Sequence, residues 1–526
     1  MKTIKLCFLG AILLLIQEVS YAQSSGNEVI YHVVQRSFYD SNGDQHGDFN
    51  GLKSKLDYLQ DLGITSLLLL PTCESVYYHN YFSSDLEKLD PRFGTMDEWK
   101  SLVKEVHRRK MKIYLDLEFQ YVTEDHIWYK DSYGNPQSKY SPYMVYNEPG
   151  NQKPEPIIFN LTELMGYDSN RRTIATINMK SPEVRTYFEK LLSYWADPNQ
   201  DKKFEDGVDG FRLDHMMDVL DGKPKFSGLF ESFWNPLLSG LKKKYPHLSN
   251  VAEQASWADY GETYFTKGAV DRVFAFNFRN AIASFDKKRI SLIADTMFGQ
   301  TPVGKQQVIF LENHDMVRFA TEVKGNRLKM KTAAALNLLI GGVPAIYYGQ
   351  ELGMEGSGGF GKFGVSDGND IPYREAFEWF KADTGKGMAL WYKNTGPWWD
   401  QTNLKPNDGI SVEEQAGNPS SLLNTYKSLL KLRKMETTLV NGTYAALTNP
   451  NEHVFSFRRQ SGSDVLIVLV NLSDTEQKTT VELGKNQSFK AQSLSPLYGT
   501  EKETITQNQK MEAKLPAYGV EVYKVR

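Results

Sequence analysis

The sequence has few cysteines, little net charge and no long apolar run. Only two cysteines occur in 526 residues, and Cys7 lies near the N-terminus in the first apolar stretch, so a disulfide-stapled scaffold is excluded. The net charge of -3, with both signs interspersed, does not indicate a nucleic acid or an anionic membrane surface as a partner. Rigidity must therefore come from packing or from a bound metal.

The N-terminal 22 residues have the pattern of a secretory signal peptide. Lys2 and Lys5 precede an apolar run over residues 6–16, and Ser20-Tyr21-Ala22 forms a small-x-small cleavage site. The run is too short to span a bilayer comfortably, and Cys7 lacks the small residues that precede a lipidated cysteine. We expect cleavage after Ala22 and an exported protein, periplasmic or secreted, with no stable membrane insertion. The sequence does not indicate an oligomeric state.

Strand-like and helical patterns alternate over about 350 residues. The strand-like stretches are 28–38, 64–70, 112–117, 206–214, 250–255, 272–276, 307–311 and 345–348, and helical spacing is clearest over 52–62, 96–109, 182–195 and 421–433. Alternation of this kind is typical of a parallel sheet, and the number of strands favours a closed (β/α)8 TIM barrel over an open sheet.

Two regions depart from this alternation. Residues 122–176 are rich in Pro, Asn and Tyr and too long for an ordinary loop, which predicts an inserted subdomain after the third strand. From residue 441 to 526 short alternating runs are separated by turn residues, which predicts a C-terminal all-β sandwich domain. The barrel itself would comprise residues 23–121 and 177–440.

The most informative stretch is DGVDGFRLDHMMD, residues 206–218. Arg212 and Asp214 lie two residues apart at the end of an apolar strand, so both side chains point to the same face. A buried carboxylate is costly unless a partner keeps it ionised, and a guanidinium one pleat away can do so and leave the carboxylate available as a nucleophile. A purely structural Arg–Asp pair is the alternative for this motif taken alone.

Two further acids close other predicted strands. Glu253 follows Asn250-Val251-Ala252, an apolar approach that would keep its carboxyl group protonated, and Asp315 follows the apolar run 308–311. In a TIM barrel the catalytic groups come from the carboxyl ends of strands, and paired Asp and Glu residues carry out glycoside hydrolysis. Any one of these acids could be a helix cap, but three at neighbouring strand ends make that reading improbable.

Oxygen-bearing side chains alternate with glycines over residues 40–48, DSNGDQHGD. Alternating oxygen ligands on a tightly curled loop suit Ca²⁺. A polar loop of Asx turns has the same composition, and the residues alone do not decide between the two.

Taken together, these motifs resemble the α-amylase family of glycoside hydrolases (family 13), in its oligoglucosidase and amylase-like branch. The resemblance covers nearly the whole mature chain. It rests on GFRLD at 210–214, VAEQ at 251–254, FLENHD at 310–315 followed by Arg318, HNYFSSDLEKLDPRFGT at 79–95, GGVPAIYYGQELG at 341–353, IATIN at 174–178 and DSNGD at 40–44.

The resemblance implies roles for individual residues. Asp214 would be the nucleophile, Glu253 the general acid and base, and Asp315 would bind sugar hydroxyls and favour the distorted ring. Arg212 would orient Asp214, His314 would bind the same sugar, and Tyr81 would provide a stacking platform. Retention of anomeric configuration would place the carboxyl groups of Asp214 and Glu253 about 5–5.5 Å apart. The resemblance also implies a Ca²⁺ site whose ligands would be Asp40, Asn42, Asp44, the carbonyl of His46, and Asp48.

The chain departs from the family pattern around the first subsite. Gln120 and Tyr121 stand where the third-strand motif usually has Asn and His, Phe82 stands where Asp is usual after Tyr81, and His215 follows the nucleophile where a small or β-branched residue is common. We expect Tyr121, Phe82 and His215 to contribute to a remodelled substrate site.

Three functions are compatible with these residues. The sequence favours a retaining hydrolase of α-glucosidic bonds in α-glucan oligosaccharides. The first alternative is an α-glucan transglycosylase that uses the same residues, in which a second sugar outcompetes water. The other is a non-catalytic sugar-binding protein, which would be expected to lose a catalytic carboxylate, and none is lost.

Overall fold

The computed structural model describes residues 26–358, 361–483, 493–499, 504–505 and 509–525. The predicted signal peptide, residues 1–22, lies outside the described residues. Within the described part of the chain, no helix has the length and apolar character needed to cross a membrane.

Eight parallel strands close into a barrel, which confirms the predicted fold. Strand β1 pairs with both β2 and β8, so the sheet has no free edge. The strands are β1 Ile30–Val33, β2 Ser66–Leu69, β3 Lys112–Leu117, β4 Gly210–Met216, β5 Val251–Gln254, β6 Arg272–Phe274, β7 Gln306–Ile309 and β8 Val343–Tyr347. Because all eight are parallel, their carboxyl ends meet at one rim of the barrel.

Helices connect the strands on the outside of the barrel. The longer ones are Phe49–Ser54, Leu56–Leu62, Met96–Arg108, Pro182–Ala196, Asn235–Lys244, Phe276–Ser284, Lys287–Gln300, Arg327–Leu339 and Leu422–Met435. Helix Met96–Arg108 begins at a capping box formed by Thr95 and Glu98, and its buried Trp99 contacts Trp195 of helix Pro182–Ala196 edge to face. Shorter helices span Ile127–Ser132, Glu262–Thr266, Phe319–Glu322, Val412–Gln415 and Thr437–Asn441.

Several predicted elements differ in detail from those observed, as two examples show. The helix predicted over 52–62 is interrupted at Lys55, whose ψ of 5° ends one helix before the next begins. The strand predicted over 272–276 ends at Phe274, and a helix already begins at Phe276 because the chain turns outward at the rim.

The segment between β3 and β4 contains a small sheet of its own. Strands Tyr121–Thr123, Glu163–Met165 and Arg171–Thr176 pair with Cys73–Ser75 and Ser83–Leu89 from the β2–β3 connection. A separate hairpin joins Tyr146–Glu148 to Gln152–Pro154. Two connections therefore build one structure beside the carboxyl ends of β2 and β3.

The C-terminal part of the described chain is all-β, as predicted. Its strands pair antiparallel in two sheets. The six-stranded sheet contains Thr443–Ala446, Val454–Ser461, Asp464–Asn471, Val520–Val525, Ser493–Tyr498 and Thr504–Ile505, and the two-stranded sheet pairs Gln477–Glu482 with Lys510–Leu515. Buried Ile467 and Leu469 of the first sheet share a core with Val481 and Leu515 of the second. Arg459 connects this domain to the barrel by donating to the carbonyl of Ile340 at 2.8 Å.

Candidate active site

Arg212 lies at the centre of a cluster of carboxyl groups on the barrel rim. Its Nη1 donates to Oδ1 of Asp214 at 2.5 Å and to Oδ2 of Asp116 at 2.6 Å, and its Nη2 lies 2.8 Å from Oε2 of Glu253. The guanidinium is only 1% exposed. One arginine thus bridges the two acids predicted to carry out catalysis.

Strand register brings these groups together. Arg212 pairs with Asp116 on β3 and with Val251 on β5, so side chains that alternate to the same face meet across three strands. A β-bulge follows, in which Asp214 and His215 together face Glu253. His215 has a left-handed φ of 45°, and its backbone N–H donates to Oε2 of Glu253 at 3.0 Å. The bulge therefore aims a main-chain donor at Glu253.

Asp315 joins the same network from the other side of the barrel. Its Oδ1 accepts from Nη2 of Arg374 at 3.0 Å, and its Oδ2 lies 3.1 Å from Nε2 of His314. The hydroxyl of Tyr81 donates to Oδ2 of Asp116 at 2.7 Å and lies 2.7 Å from the same His314 nitrogen. The three predicted catalytic acids therefore lie in one cluster of contacting polar groups on the rim.

Burial sets the protonation of the site. It raises the pKa of Glu253, an effect that Arg212 opposes and the charge of Asp214 reinforces. Burial likewise raises the pKa of Asp315 to about 6 and that of Asp116 to about 8. Burial and the charges of Arg212 and Arg374 hold the pKa of His314 well below its usual value, so this histidine is neutral. Buried carboxyl groups with raised pKa values therefore line the site.

Two predicted substrate residues, Tyr121 and Phe82, lie outside this network, and His215 joins it only through its backbone. The Tyr121 hydroxyl donates to Asp221, in the connection after β4, and its ring packs with Tyr77 and Ile157. Phe82 contacts the Tyr121 ring edge to face, with the ring centres 6.1 Å apart. His215 takes part through its backbone N–H, and its half-buried imidazole lies near enough to Glu253 to lower that carboxyl group's pKa.

The structure adds residues to which the sequence analysis assigned no role. Arg374 contacts Asp315, the carbonyl of His314 and the hydroxyl of Tyr78, but it lies in an irregular segment without periodicity. Gln120 donates through Nε2 to the carbonyls of Asp214 and His215 at 2.9 and 3.0 Å. Asp116 and Glu118 share the face of Arg212 and Asp214. Their spacing of two residues, at the end of the strand predicted over 112–117, is the sequence signal that indicates a common face.

An exposed tryptophan stands on the same rim, close after Glu253 in the chain. Trp257 is 40% exposed, and its ring stacks on Phe276 with the ring centres 4.6 Å apart and an interplanar angle of 9°. Phe276 in turn contacts Phe310 edge to face. One face of the indole is therefore held by packing and the residue is partly open to solvent.

The loop over residues 40–48 was predicted to bind Ca²⁺. Its carboxylates accept backbone N–H groups: Asp40 from Asn42, Gly43 and Gln45, and Asp44 from His46, while Asp48 accepts from Ser41 and caps helix Phe49–Ser54. In the described ranges, no three His, Cys, Asp or Glu side chains converge as metal ligands would. The residue types suit calcium, but their placement is that of Asx turns and a helix cap.

Comparisons with known proteins agree with this geometry. The profile of the α-amylase catalytic domain matches residues 32–442. "Alpha-amylase 3" of Dictyoglomus thermophilum is 30% identical over 462 residues, which cover 86% of this chain and 85% of that protein. An oligo-1,6-glucosidase of Parageobacillus thermoglucosidasius is 26% identical over 85% of this chain and 90% of its own.

Among solved structures, the α-amylase from H. orenii superposes with a TM-score of 0.78 at 26% identity, over 95% of this chain and 99% of that one. The region matched by the profile of the α-amylase catalytic domain contains all eight barrel strands except the first two residues of β1, together with every acid of the rim network. The chain belongs to the α-amylase family of glycoside hydrolases.

Proposed function

We propose that this glycoside hydrolase cleaves α-1,4-glucosidic bonds in glucan oligosaccharides with retention, using Asp214 as nucleophile and Glu253 as acid and base. The observation that carries the proposal is the Arg212 bridge, in which one guanidinium lies within 3 Å of both carboxyl groups. The shared guanidinium holds a nucleophile and an acid at one site, where both can act on the same glycosidic bond, and retention of configuration is what the family resemblance implies for this pair.

In the first step an oxygen of the Asp214 carboxylate attacks the anomeric carbon. The glycosidic bond breaks, and its oxygen takes the proton of Glu253, whose pKa burial raises. Asp315 and the neutral His314 would bind hydroxyl groups of the same sugar, since Oδ2 of Asp315 lies only 3.1 Å from Nε2 of His314. The products of this step are the leaving saccharide and a glycosyl ester on Asp214.

In the second step Glu253 acts as a base. Its carboxylate takes a proton from a water molecule, and the hydroxide oxygen attacks the anomeric carbon as the bond to Asp214 breaks. The His215 N–H and Arg212 both stabilise the ionised form of Glu253 at this stage. Asp214 leaves as a carboxylate that Arg212 stabilises, and Glu253 regains its proton.

The choice of an α-1,4-glucan that is cleaved internally rests on two supports, one for the linkage and one for the position of cleavage. One is the 30% identity to the α-amylase of Dictyoglomus thermophilum. The other is Phe82, which stands where the resemblance implies the Asp that fixes a terminal glucose in exo-acting members. Its packing against Tyr121 leaves an apolar wall at this position. We also propose that Trp257, on the Glu253 side, stacks on the leaving saccharide.

A product profile on α-1,4- and α-1,6-linked oligosaccharides and on sucrose, with anomers followed by NMR, tests the proposal. We expect α-1,4 cleavage with α-anomeric products, and a loss of at least about 10³-fold in Asp214→Asn and Glu253→Gln. Asp209→Asn, at the opposite end of β4, is the matched control and should stay active. An inactive wild type that still binds sugar would instead support the non-catalytic reading.

Transglycosylation uses the same groups, with a sugar hydroxyl replacing water in the second step. Added acceptor sugar tests this alternative directly. Products longer than the substrate at low acceptor concentration would show that transfer dominates, whereas we expect hydrolysis to dominate.

We further propose that the 40–48 loop binds Ca²⁺, with Asp40, Asn42, Asp44, the His46 carbonyl and Asp48 as ligands. The support is the ligand spacing, together with the fact that a carboxylate has about four lone-pair sites, which a few N–H donors do not exhaust. Binding requires these side chains to converge more than they do. No step of the chemistry passes through the ion.

Export of the mature protein is likewise a proposal, supported by the signal-like pattern of residues 1–22. Sequencing the N-terminus of protein from the culture medium or periplasm would test it. We expect Gln23 as the first residue, and an intact Met1 in the cytoplasmic fraction would contradict the proposal.

A further inference from the structure

A fourth buried carboxyl group lies directly beside the proposed nucleophile. Glu118 immediately follows β3, two residues after Asp116, so both side chains share a face. The β3–β4 register pairs Asp116 with Arg212 and Leu117 with Leu213, and one residue further it brings Glu118 beside Asp214. The two side chains are within hydrogen-bonding reach of each other, and Glu118 is 4% exposed.

Gln120 holds this pair in place. Its backbone N–H donates to Oε1 of Glu118 at 2.7 Å. Its side-chain amide donates to the carbonyls of Asp214 and His215, and its Oε1 accepts the N–H of Phe119 at 2.8 Å. The fully buried Gln120 therefore ties the ends of β3 and β4 together, so the spacing of the two acids is set by packed backbone.

The proton balance of the pair follows from its neighbours. Two carboxyl groups in contact in a buried site do not both ionise. Asp214 has the Arg212 guanidinium at 2.5 Å, which favours its charged form. In the described ranges, no lysine, arginine or histidine forms an ion pair with Glu118. Tyr121, on the same segment, lies near enough for Glu118 to raise its pKa, and it supplies no positive charge.

We propose that Glu118 is a positioning residue: a neutral carboxylic acid whose O–H donates a hydrogen bond to the carboxylate of Asp214. This inference rests on the proposed role of Asp214. The donor fixes the orientation of the nucleophile together with Arg212, and it stabilises the carboxylate that leaves when water cleaves the glycosyl ester. Burial and the charge of Asp214 raise the pKa of Glu118 well above its usual value, in keeping with this role.

The experiment compares Glu118→Gln, which keeps a donor of the same shape, with Glu118→Leu, which removes it. The substrate is an aryl α-glucoside whose leaving group needs no protonation. The rate of the first step therefore does not depend on Glu253 as an acid. Losing a hydrogen bond to an ionised group should lower activity roughly 10- to 100-fold in Glu118→Leu. Glu118→Gln should keep most of the activity and lose the fall in rate at alkaline pH that ionisation of Glu118 causes.

Infrared difference spectra of wild type and Glu118→Gln give a readout that a merely structural residue would not change. We expect a protonated-carboxyl band near neutral pH in the wild type that the variant lacks, with equal melting temperatures for the two proteins. An unchanged alkaline limb, or absence of the band, would overturn the inference while leaving the proposed function intact. An inactive wild type would overturn the proposed function itself.

Discussion

The hydroxyl of Tyr121 donates a hydrogen bond to the carboxylate of Asp221. Asp221 also lies 3.4 Å from Nζ of Lys223, and the same ammonium lies 3.0 Å from Glu155. The tyrosine that replaces the family's usual histidine therefore links the segment between β3 and β4 to the connection after β4.

Removing this hydroxyl should loosen that link. We expect Tyr121→Phe to cost about 1.5–3 kcal/mol of stability, the range for a hydrogen bond to a charged group. The KM for oligosaccharides should rise, with little change for an aryl glucoside. Tyr77→Phe is the matched control, since Tyr77 lies in the same cluster but donates to the neutral carbonyl of Leu164 at 3.0 Å. Equal losses of melting temperature in the two variants would contradict the prediction.

The pH profile should have an acid limb set by Asp315. Its pKa of about 6 means that the group is ionised above that pH and protonated below it, so kcat/KM should fall as the pH drops through about 6. Arg374 lowers this pKa, while Glu253 and Asp370 raise it.

Two substitutions should shift the limb in opposite directions. Arg374→Gln removes a positive charge, so the limb should move to higher pH. Asp370→Asn removes a negative charge, so it should move to lower pH. A limb that stays in place in both variants would show that another group controls it.

Calcium removal should destabilise the enzyme if the 40–48 loop binds the ion. An ion that binds only the folded state stabilises it by about 2.7 kcal/mol when present at 100 times its dissociation constant. We therefore expect EDTA to lower the melting temperature of the wild type and Ca²⁺ to restore it, with no EDTA effect in Asp44→Asn. The same melting curve before and after metal stripping would count against the site.

The exposed Trp257 should matter for long substrates. A stacking contact of about 1 kcal/mol corresponds to roughly a fivefold change in KM, so Trp257→Ala should raise the KM for oligosaccharides by about that factor. The reaction with an aryl glucoside should change little. Leu292→Ala, an exposed apolar residue on helix Lys287–Gln300, is the control. An equal loss on both substrates would place Trp257 outside the leaving-group side.

Local pattern was enough to predict most of the fold. Strand β3 has the predicted bounds, because an apolar run ending at a charged residue is a strong local signal. The sheet beside the rim was not predictable in the same way, since Ser83–Leu89 pairs with Tyr121–Thr123 across a long stretch of chain. Pairing of that kind leaves no periodic trace in either segment.

The site residues also divide into those that local spacing predicts and those that it does not. Arg212 and Asp214 were readable because two-residue spacing on a strand fixes their common face. Arg374 was not, because it reaches Asp315 from an irregular segment 59 residues further along the chain. For His215 the sequence suggested a place in the substrate site, and the structure adds a backbone donor whose direction depends on a left-handed φ that composition does not reveal.

The β-bulge at Asp214 and His215 links the proposed nucleophile mechanically to the proposed acid and base, Glu253. Two consecutive residues face one, so any change that flattens the backbone at 214–215 withdraws a donor from Glu253 and displaces Asp214 in the same movement. An engineer who wishes to favour sugar transfer over hydrolysis should therefore leave this bulge untouched and reshape the wall around Trp257, where the acceptor would arrive.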